Sequence, residues 1–261
     1  MSRSQRTIAV ALWLLSAVAV SHAAAADNAW AVLVQNSQQG KYTFLCFYRE
    51  DNQATRAMAQ MLKSHLAEYA DRASLCFVSV ADPAQQDVVK RFGVSRAPLP
   101  FAVAVAPNGA MTALLSQKAT PQQIASAFLT PGAADCMKAM QDRKLVLVCV
   151  QAAGQQTLPA AVEDFQSDPE FMDRVRVVAV RANDPNEAAF LQQMEVDGKS
   201  VKGSTIVFMA PPAVLVGKFS QHATKAEMAA ALHAAGKCCD DPNCKHNHAP
   251  QAAKSGKAAR K

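Results

Sequence analysis

No phosphate-cradling glycine loop, no Ser-His-Asp set and no paired-carboxylate site can be picked out of this 261-residue chain. Phosphate binding through such a loop, triad hydrolysis and two-carboxylate acid–base chemistry are thus left without a signature. After the first residues no apolar run approaches the roughly 20 residues that cross a bilayer, so an integral membrane protein is not expected. Excess charge is also missing from the body. The formal net charge is +6, but Arg3 and Arg6 lie at the start, and six basic residues lie from Lys237 onward beside Asp240 and Asp241. Setting both ends aside leaves 19 basic and 19 acidic residues between Asp27 and Gly236. A neutral body with a basic tail makes no electrostatic case for nucleic-acid binding, and the tail charge reads as a solubility device.

The start of the chain has the marks of an export signal. Arg3 and Arg6 precede an apolar run from Ile8 to Val20, and small residues follow at Ala23 to Ala26. Residues 1–26 are therefore expected to be a signal peptide, too short for a comfortable membrane span. No cysteine follows the run, so no lipid anchor is indicated. The expected location is periplasmic, with secretion as the alternative.

Export allows disulfides, yet the seven cysteines do not outline a disulfide scaffold. Cys46, Cys76 and Cys149 sit inside apolar, strand-like runs and read as small packing residues. Cys136 stands alone before a helical stretch. His65, His222 and His233 are scattered.

What the chain does contain is a repeat. Asp82-Pro83 through Val94 returns in outline as Asp184-Pro185 through Val196, an offset of 102. Ser116 to Thr120 (SQKAT) returns as Ser220 to Thr224 (SQHAT), an offset of 104, and Cys46 returns as Cys149, an offset of 103. Three anchors at nearly constant spacing indicate a duplicated unit. The expected units are residues 27–131 and 132–236, joined by a short linker around Thr130-Pro131-Gly132.

Each unit alternates strand and helix signals. Tyr42 to Tyr48 is a continuous apolar run, as suits a strand buried on both faces. A helix over 52–69 follows, started by Asp51 or Asn52 as cap. Strand 75–80, helix 83–92, strand 101–106, a turn at Pro107-Asn108-Gly109, strand 111–115 and a helix opened by Pro121 complete the order β-α-β-α-β-β-α. The second unit reads as strand 145–150, helix 158–171, strand 175–180, helix 187–194, strands 205–209 and 214–219, and helix 225–234. The fold class is α/β: two tandem domains, each a mixed sheet flanked by helices.

This order resembles the thioredoxin-like fold. The resemblance is carried by Phe44-Leu-Cys-Phe-Tyr-Arg-Glu-Asp51 running into a helix, by Arg91 to Phe101 (RFGVSRAPLPF), and by Pro107-Asn-Gly109. It implies a redox C-x-x-C at the helix start and a cis-proline facing it. Pro100 stands at the proline position, with Pro98 as competitor. The cysteine pair is missing: Asn52-Gln53-Ala54-Thr55 occupies its place in the first unit and Gly154 to Leu158 in the second. Dithiol exchange needs a thiolate at a helix start and a second thiol in reach, so neither unit reads as an oxidoreductase. In the second unit the proline position reads Gly203-Ser204-Thr205. Thioredoxin-like domains without the cysteine pair often serve as binding or scaffold units. The resemblance then implies a protein- or peptide-binding surface formed by Arg49, Glu50, Asp51, Asn52, Thr55, Leu99 and Pro100.

The tail, residues 237–261, carries the one reactive-looking cluster. Cys238, Cys239, Cys244, His246 and His248 fall within eleven residues. These are soft and borderline donors suited to zinc or copper(I), although CC-x4-C-x-H-x-H is not a standard zinc-finger spacing. Metal binding, disulfide or redox use of the three cysteines, and an inert polar tail all remain open. Without metal the tail is expected to be disordered. The leading expectation is a non-catalytic binding protein; the alternative is a metal-handling or thiol–disulfide redox protein working through the tail.

Overall fold

A computed structural model describes residues 28–94 and 97–236. The leading segment and the tail cluster lie outside the described residues. The described chain forms two four-stranded sheets. In the first, β1 (Tyr42–Tyr48) pairs in parallel with β2 (Ala73–Ser79) and antiparallel with β3 (Phe101–Val105), which pairs with β4 (Met111–Leu115), giving the order β2-β1-β3-β4. The second sheet repeats it as β6-β5-β7-β8, from β5 (Leu145–Gln151), β6 (Val175–Arg181), β7 (Ser204–Ala210) and β8 (Val214–Ser220). Parallel neighbours joined through a helix, then an antiparallel pair, is the topology the resemblance implies.

The central strands explain their own composition. All seven residues of β5 and six of seven in β1 are buried, as continuous apolar runs demand when both sheet faces are covered. On one face of the first sheet pack α2 (Gln53–Leu66) and α4 (Pro121–Ala125), burying Phe44, Met58, Leu62 and Ile124. On the other pack α1 (Ala29–Gln38) and α3 (Gln86–Arg91), burying Leu45, Phe47, Val88 and Val89. Full burial of each such side chain contributes about 1.5–3 kcal/mol. The second sheet is covered likewise, by α6 (Ala160–Ser167) and α8 (Lys225–Ala234) on one face and by α5 (Pro131–Gln141) and α7 (Ala188–Gln193) on the other.

The repeated motifs are helix-entry devices. Asp82 and Asp184 accept from Ala84 N and Asn186 N, both at 2.9 Å, and start the turns before α3 and α7. Thr120 and Thr224 each form a capping box, with Gln123 and Glu227. Each copy also uses the residue two beyond its proline. Gln85 Oε1 accepts from Ala29 N at 3.0 Å and Glu187 Oε1 from Gly132 N at 2.7 Å, tying α1 and α5 to their own sheets.

Three expectations are corrected. The strand–helix order omitted α1 and α5, the helix that opens each copy. Thr130-Pro131-Gly132 is no loop linker: Thr130 accepts from Ala133 N and Pro131 begins α5. The helix read over 158–171 is only α6, because Pro159 sits at its cap and Pro169 forces Asp168 into extended backbone, ψ 123°.

The two copies meet through α5. Gln141 donates to Met111 O (2.7 Å) and accepts from Met111 N (2.9 Å), satisfying the edge of β4. Asn108 donates to Asp135 Oδ1 at 2.9 Å. Tyr42 Oη, which accepts from Leu129 N and donates to Leu129 O, anchors the chain just before α5.

The copies differ in backbone strain. Gly40, Gly93 and Gly109 have φ of 69°, 60° and 82°; their counterparts are Arg143, Glu195 and Ala213 at 59°, 51° and 90°. A side chain in this region costs about 1–2 kcal/mol, partly offset by glycine's greater unfolded freedom. Ala213→Gly and Arg143→Gly are each expected to raise stability by roughly 0.5–1 kcal/mol, read as a higher urea midpoint at unchanged slope. Gly40→Ala and Gly109→Ala should lower it.

Candidate functional site

The end of β1 and the start of α2 meet the loop before β3. Asn52 is the N-cap of α2, accepting from Thr55 N at 3.0 Å, and its own N–H donates to Glu50 O at 2.9 Å. Thr55 is 6% exposed and donates through Oγ1 to Glu50 O at 2.8 Å. Both positions that would carry thiols in a C-x-x-C pair thus use their side chains to hold backbone. Neither offers a thiol.

Arg49, Glu50, Asn52, Thr55, Leu99 and Pro100, with Ala97, surround a cleft of about 270 Å³. Six of the seven residues expected at a binding surface are therefore brought together. Asp51 is not among the cleft residues; its carboxylate lies 3.3 Å from Arg56, both well exposed. Across the 97–100 loop lies a second, mainly apolar cleft of about 470 Å³, reached by Phe101, Lys118 and Leu114. Leu114 is 74% exposed. Neither Ala97 nor Leu114 was singled out in the sequence, where nothing distinguishes an exposed edge-strand leucine from a buried one.

Pro100 follows a cis peptide bond, as expected of the residue facing the helix start; Pro98 does not. Pairing beside this loop differs between the copies. Pairing of β1 with β3 ends at Phe47 and Phe101, whereas β5 and β7 continue one step further to Gln151 and Ser204. Beyond that step Ala152 N donates to Gly203 O at 2.8 Å. The Ser204 N–H faces β8 and donates to Gln221 rather than to β5, so the donor that closes this end of the second copy is Ala152 N. In the first copy pairing stops before Pro100 and that end stays open.

The second copy is stitched shut by side chains too. Gln221 Oε1 accepts from Ser204 N at 3.2 Å, and it lies so close to Gly203 that a Cβ there would fall 1.9 Å away. Gln151 donates to Thr157 O at 3.1 Å, and Arg181 donates to Gln155 O. The segment standing in for the cysteine pair is thereby held as a capped loop.

The cysteines in the described residues do not supply thiol chemistry at either place. Cys46 and Cys149 are fully buried, on the α2 and α6 faces of their sheets. Burial pushes their thiols up to about 11 and about 12. Cys136, inside α5, is raised to about 12 by burial and then by the Asp135 and Glu187 carboxylates. Cys76 packs on the opposite face of its sheet from Cys46, so the two cannot be bridged. Among the described residues no group of three or more His, Cys, Asp or Glu side chains could hold a metal ion, and no helix is long and apolar enough to cross a membrane. Cys238, Cys239, Cys244, His246 and His248 lie outside those residues.

Raised thiols stay protonated at neutral pH and react slowly. Cys46, Cys136 and Cys149 should remain unmodified by iodoacetamide at pH 8 in the folded protein and react fully in guanidinium, read by peptide mass. Because their folded values exceed the unfolded one, the stability they contribute is present below about pH 9 and lost as pH rises toward 11–12. The urea midpoint should fall across that range, and fall less in a variant with all three changed to alanine.

No family model matches the chain, and no curated protein matches it. Among solved structures it is similar to human ERp44 in a zinc-bound form, at 10% identity over 80% of this chain and 60% of that one, TM-score 0.36. It is also similar to the first two thioredoxin domains of Saccharomyces cerevisiae Eps1p, at 11% identity over 73% and 88%, TM-score 0.29. A third is the NTD_N/C domain of alkylhydroperoxide reductase AhpF from Enterococcus faecalis, at 12% identity over 78% and 98%, TM-score 0.28. Strand order, helix placement and the Pro100 loop carry the conclusion: the chain is a tandem of two thioredoxin-like domains without a C-x-x-C pair.

Proposed function

We propose that this protein is exported and binds a protein or peptide partner without catalysing thiol exchange, using the open cleft of its first domain. The single observation behind this reading is the asymmetry of the copies. One keeps Pro100 and a cleft beside it; the other has lost the proline and closed the gap with backbone and side-chain bonds. Arg49 and Glu50 are exposed at the cleft, and their carbons and charged ends suit an extended segment of mixed character. The apolar cleft across the loop, with exposed Leu114, would take a following hydrophobic side chain. The second domain then serves as scaffold.

The tail would add a metal site. Three thiolates and two imidazoles are a donor set for zinc or copper(I), and their closeness in sequence lowers the cost of bringing them together. If the chemistry instead lies in the tail, the protein is a metal-handling or thiol-redox protein and the cleft is incidental.

With the chain from Asp27 to Lys261, reduction of insulin by dithiothreitol should run at the uncatalysed rate. Fluorescent, reduced and carboxymethylated lactalbumin, an unfolded probe, should bind. Pro100→Ser and Arg49→Ala should each weaken that binding by roughly ten-fold, about 1.4 kcal/mol. Catalysis at thioredoxin-like rates, or binding indifferent to both changes, would sink the reading. One equivalent of zinc or copper is expected on the full tail and none on a chain ending at Gly236; equal content in both removes the metal site.

A further inference from the structure

The interface between the two copies is built from surfaces that the duplication supplies twice, and among the described residues one surface of each kind is left uncovered. On α5 the docked side is formed by Asp135, Lys138 and Gln141, one helical turn apart. It receives the β3–β4 hairpin: Asn108 bonds Asp135, Gly109 approaches Lys138, and Gln141 brackets the Met111 backbone. The 103-residue offset maps that side of α5 onto Val32, Gln35 and Gln38 of α1. The 104-residue offset maps Asn108, Gly109 and Met111 onto Pro212, Ala213 and Leu215.

These counterparts match in structure as well as in count. Met111 pairs with Val105 beside a bulge at Thr112 of β4, and Leu215 pairs with Met209 beside a bulge at Val216 of β8. Gln38 keeps the residue type that brackets Met111; its amide is exposed and has no partner among the described residues. Beside this side of α1 runs a groove of about 500 Å³ lined by Val32, Gln35, Asn36, Leu75, Cys76 and Phe77. The β7–β8 hairpin reads Ala-Pro-Pro-Ala-Val-Leu from Ala210 to Leu215, with no polar side chain. Pro212 and Ala213 are exposed, and Leu215 is 52% exposed. The polar pair inside the chain, Asn108 with Asp135, has become apolar on both sides at once, Pro212 with Val32.

We infer that the chain associates with a second copy of itself head to tail, the β7–β8 hairpin of one copy seating against α1 and its groove on the next. Gln38 brackets the Leu215 backbone as Gln141 brackets Met111, and Pro212 meets Val32. The interface is heterologous, so it closes into a ring or continues as a chain of copies. Inside one chain the same contact is aided by a high effective concentration; between chains it is weaker and depends on concentration.

Sedimentation of the chain from Asp27 to Lys261, from roughly 10 µM to 1 mM, should show a mass rising above that of one chain. Leu215→Asp breaks the hairpin side, and Gln35→Glu with Gln38→Glu breaks the α1 side. Each variant alone should hold the single-chain mass at concentrations where the unaltered chain associates. Mixed, they should form a species of two chains and no larger, because one intact surface of each kind remains. Circular dichroism melting checks that both are folded; if Leu215→Asp is not, Leu215→Thr replaces it. A single-chain mass throughout, association that survives either change, or a mixture that stays monomeric would overturn the proposal.

Discussion

A strand paired along both edges and covered on both faces leaves no backbone group or apolar side chain over, and β1 and β5 each satisfy that constraint. Their residues are apolar but for Thr43 and Gln151, take a parallel neighbour on one side and an antiparallel one on the other, and carry helices above and below. Everything placed in each copy hangs from that strand. Its end sets where α2 or α6 begins, and its antiparallel partner sets where the loop before β3 or β7 comes closest. The cleft of the first copy is simply the gap where this two-sided pairing stops.

Seen this way, the copies differ in how far one ladder runs. The ladder ends before Pro100 in the first copy and leaves Arg49, Glu50 and Leu99 around a space. It runs one step further, to Gln151 and Ser204, in the second, where Gln221 and Gln151 fill in behind. The same economy of means joins the copies. A glutamine side chain on α5 imitates a neighbouring strand to the free edge of β4 and satisfies groups that would otherwise face solvent or another chain.

Much of this was legible in the residues. Continuous apolar runs announced the central strands, and Asp-Pro and Ser-Gln-x-Ala-Thr announced helix entries, because caps act through local geometry. Six of the seven cleft residues were named from their position relative to the strand end and the proline loop. What was missed has physical causes. The fully buried positions of α1 and α5 hold small or polar residues (Ala29 and Asn36; Gly132, Ala134, Cys136 and Ala139), so no row of large apolar side chains marks these helices. The overlong reading of α6 followed apolar spacing past Pro169, where the restriction on Asp168 prevails. Asp51 was counted with the cleft by adjacency, yet its side chain turns to Arg56.

By itself the sequence determined the two-fold repeat, the α/β order within each copy, and the absence of a cysteine pair at either helix start. These are properties of local pattern and of residue chemistry, and they need no knowledge of distant neighbours. Only the tertiary structure decided that one copy is open and the other zipped, that Cys46 and Cys76 face opposite sides of one sheet, and that α5 carries the contact between copies. Each of those depends on which strand or helix comes to lie beside a residue, and that is set by packing across the whole domain rather than by the residues next in line.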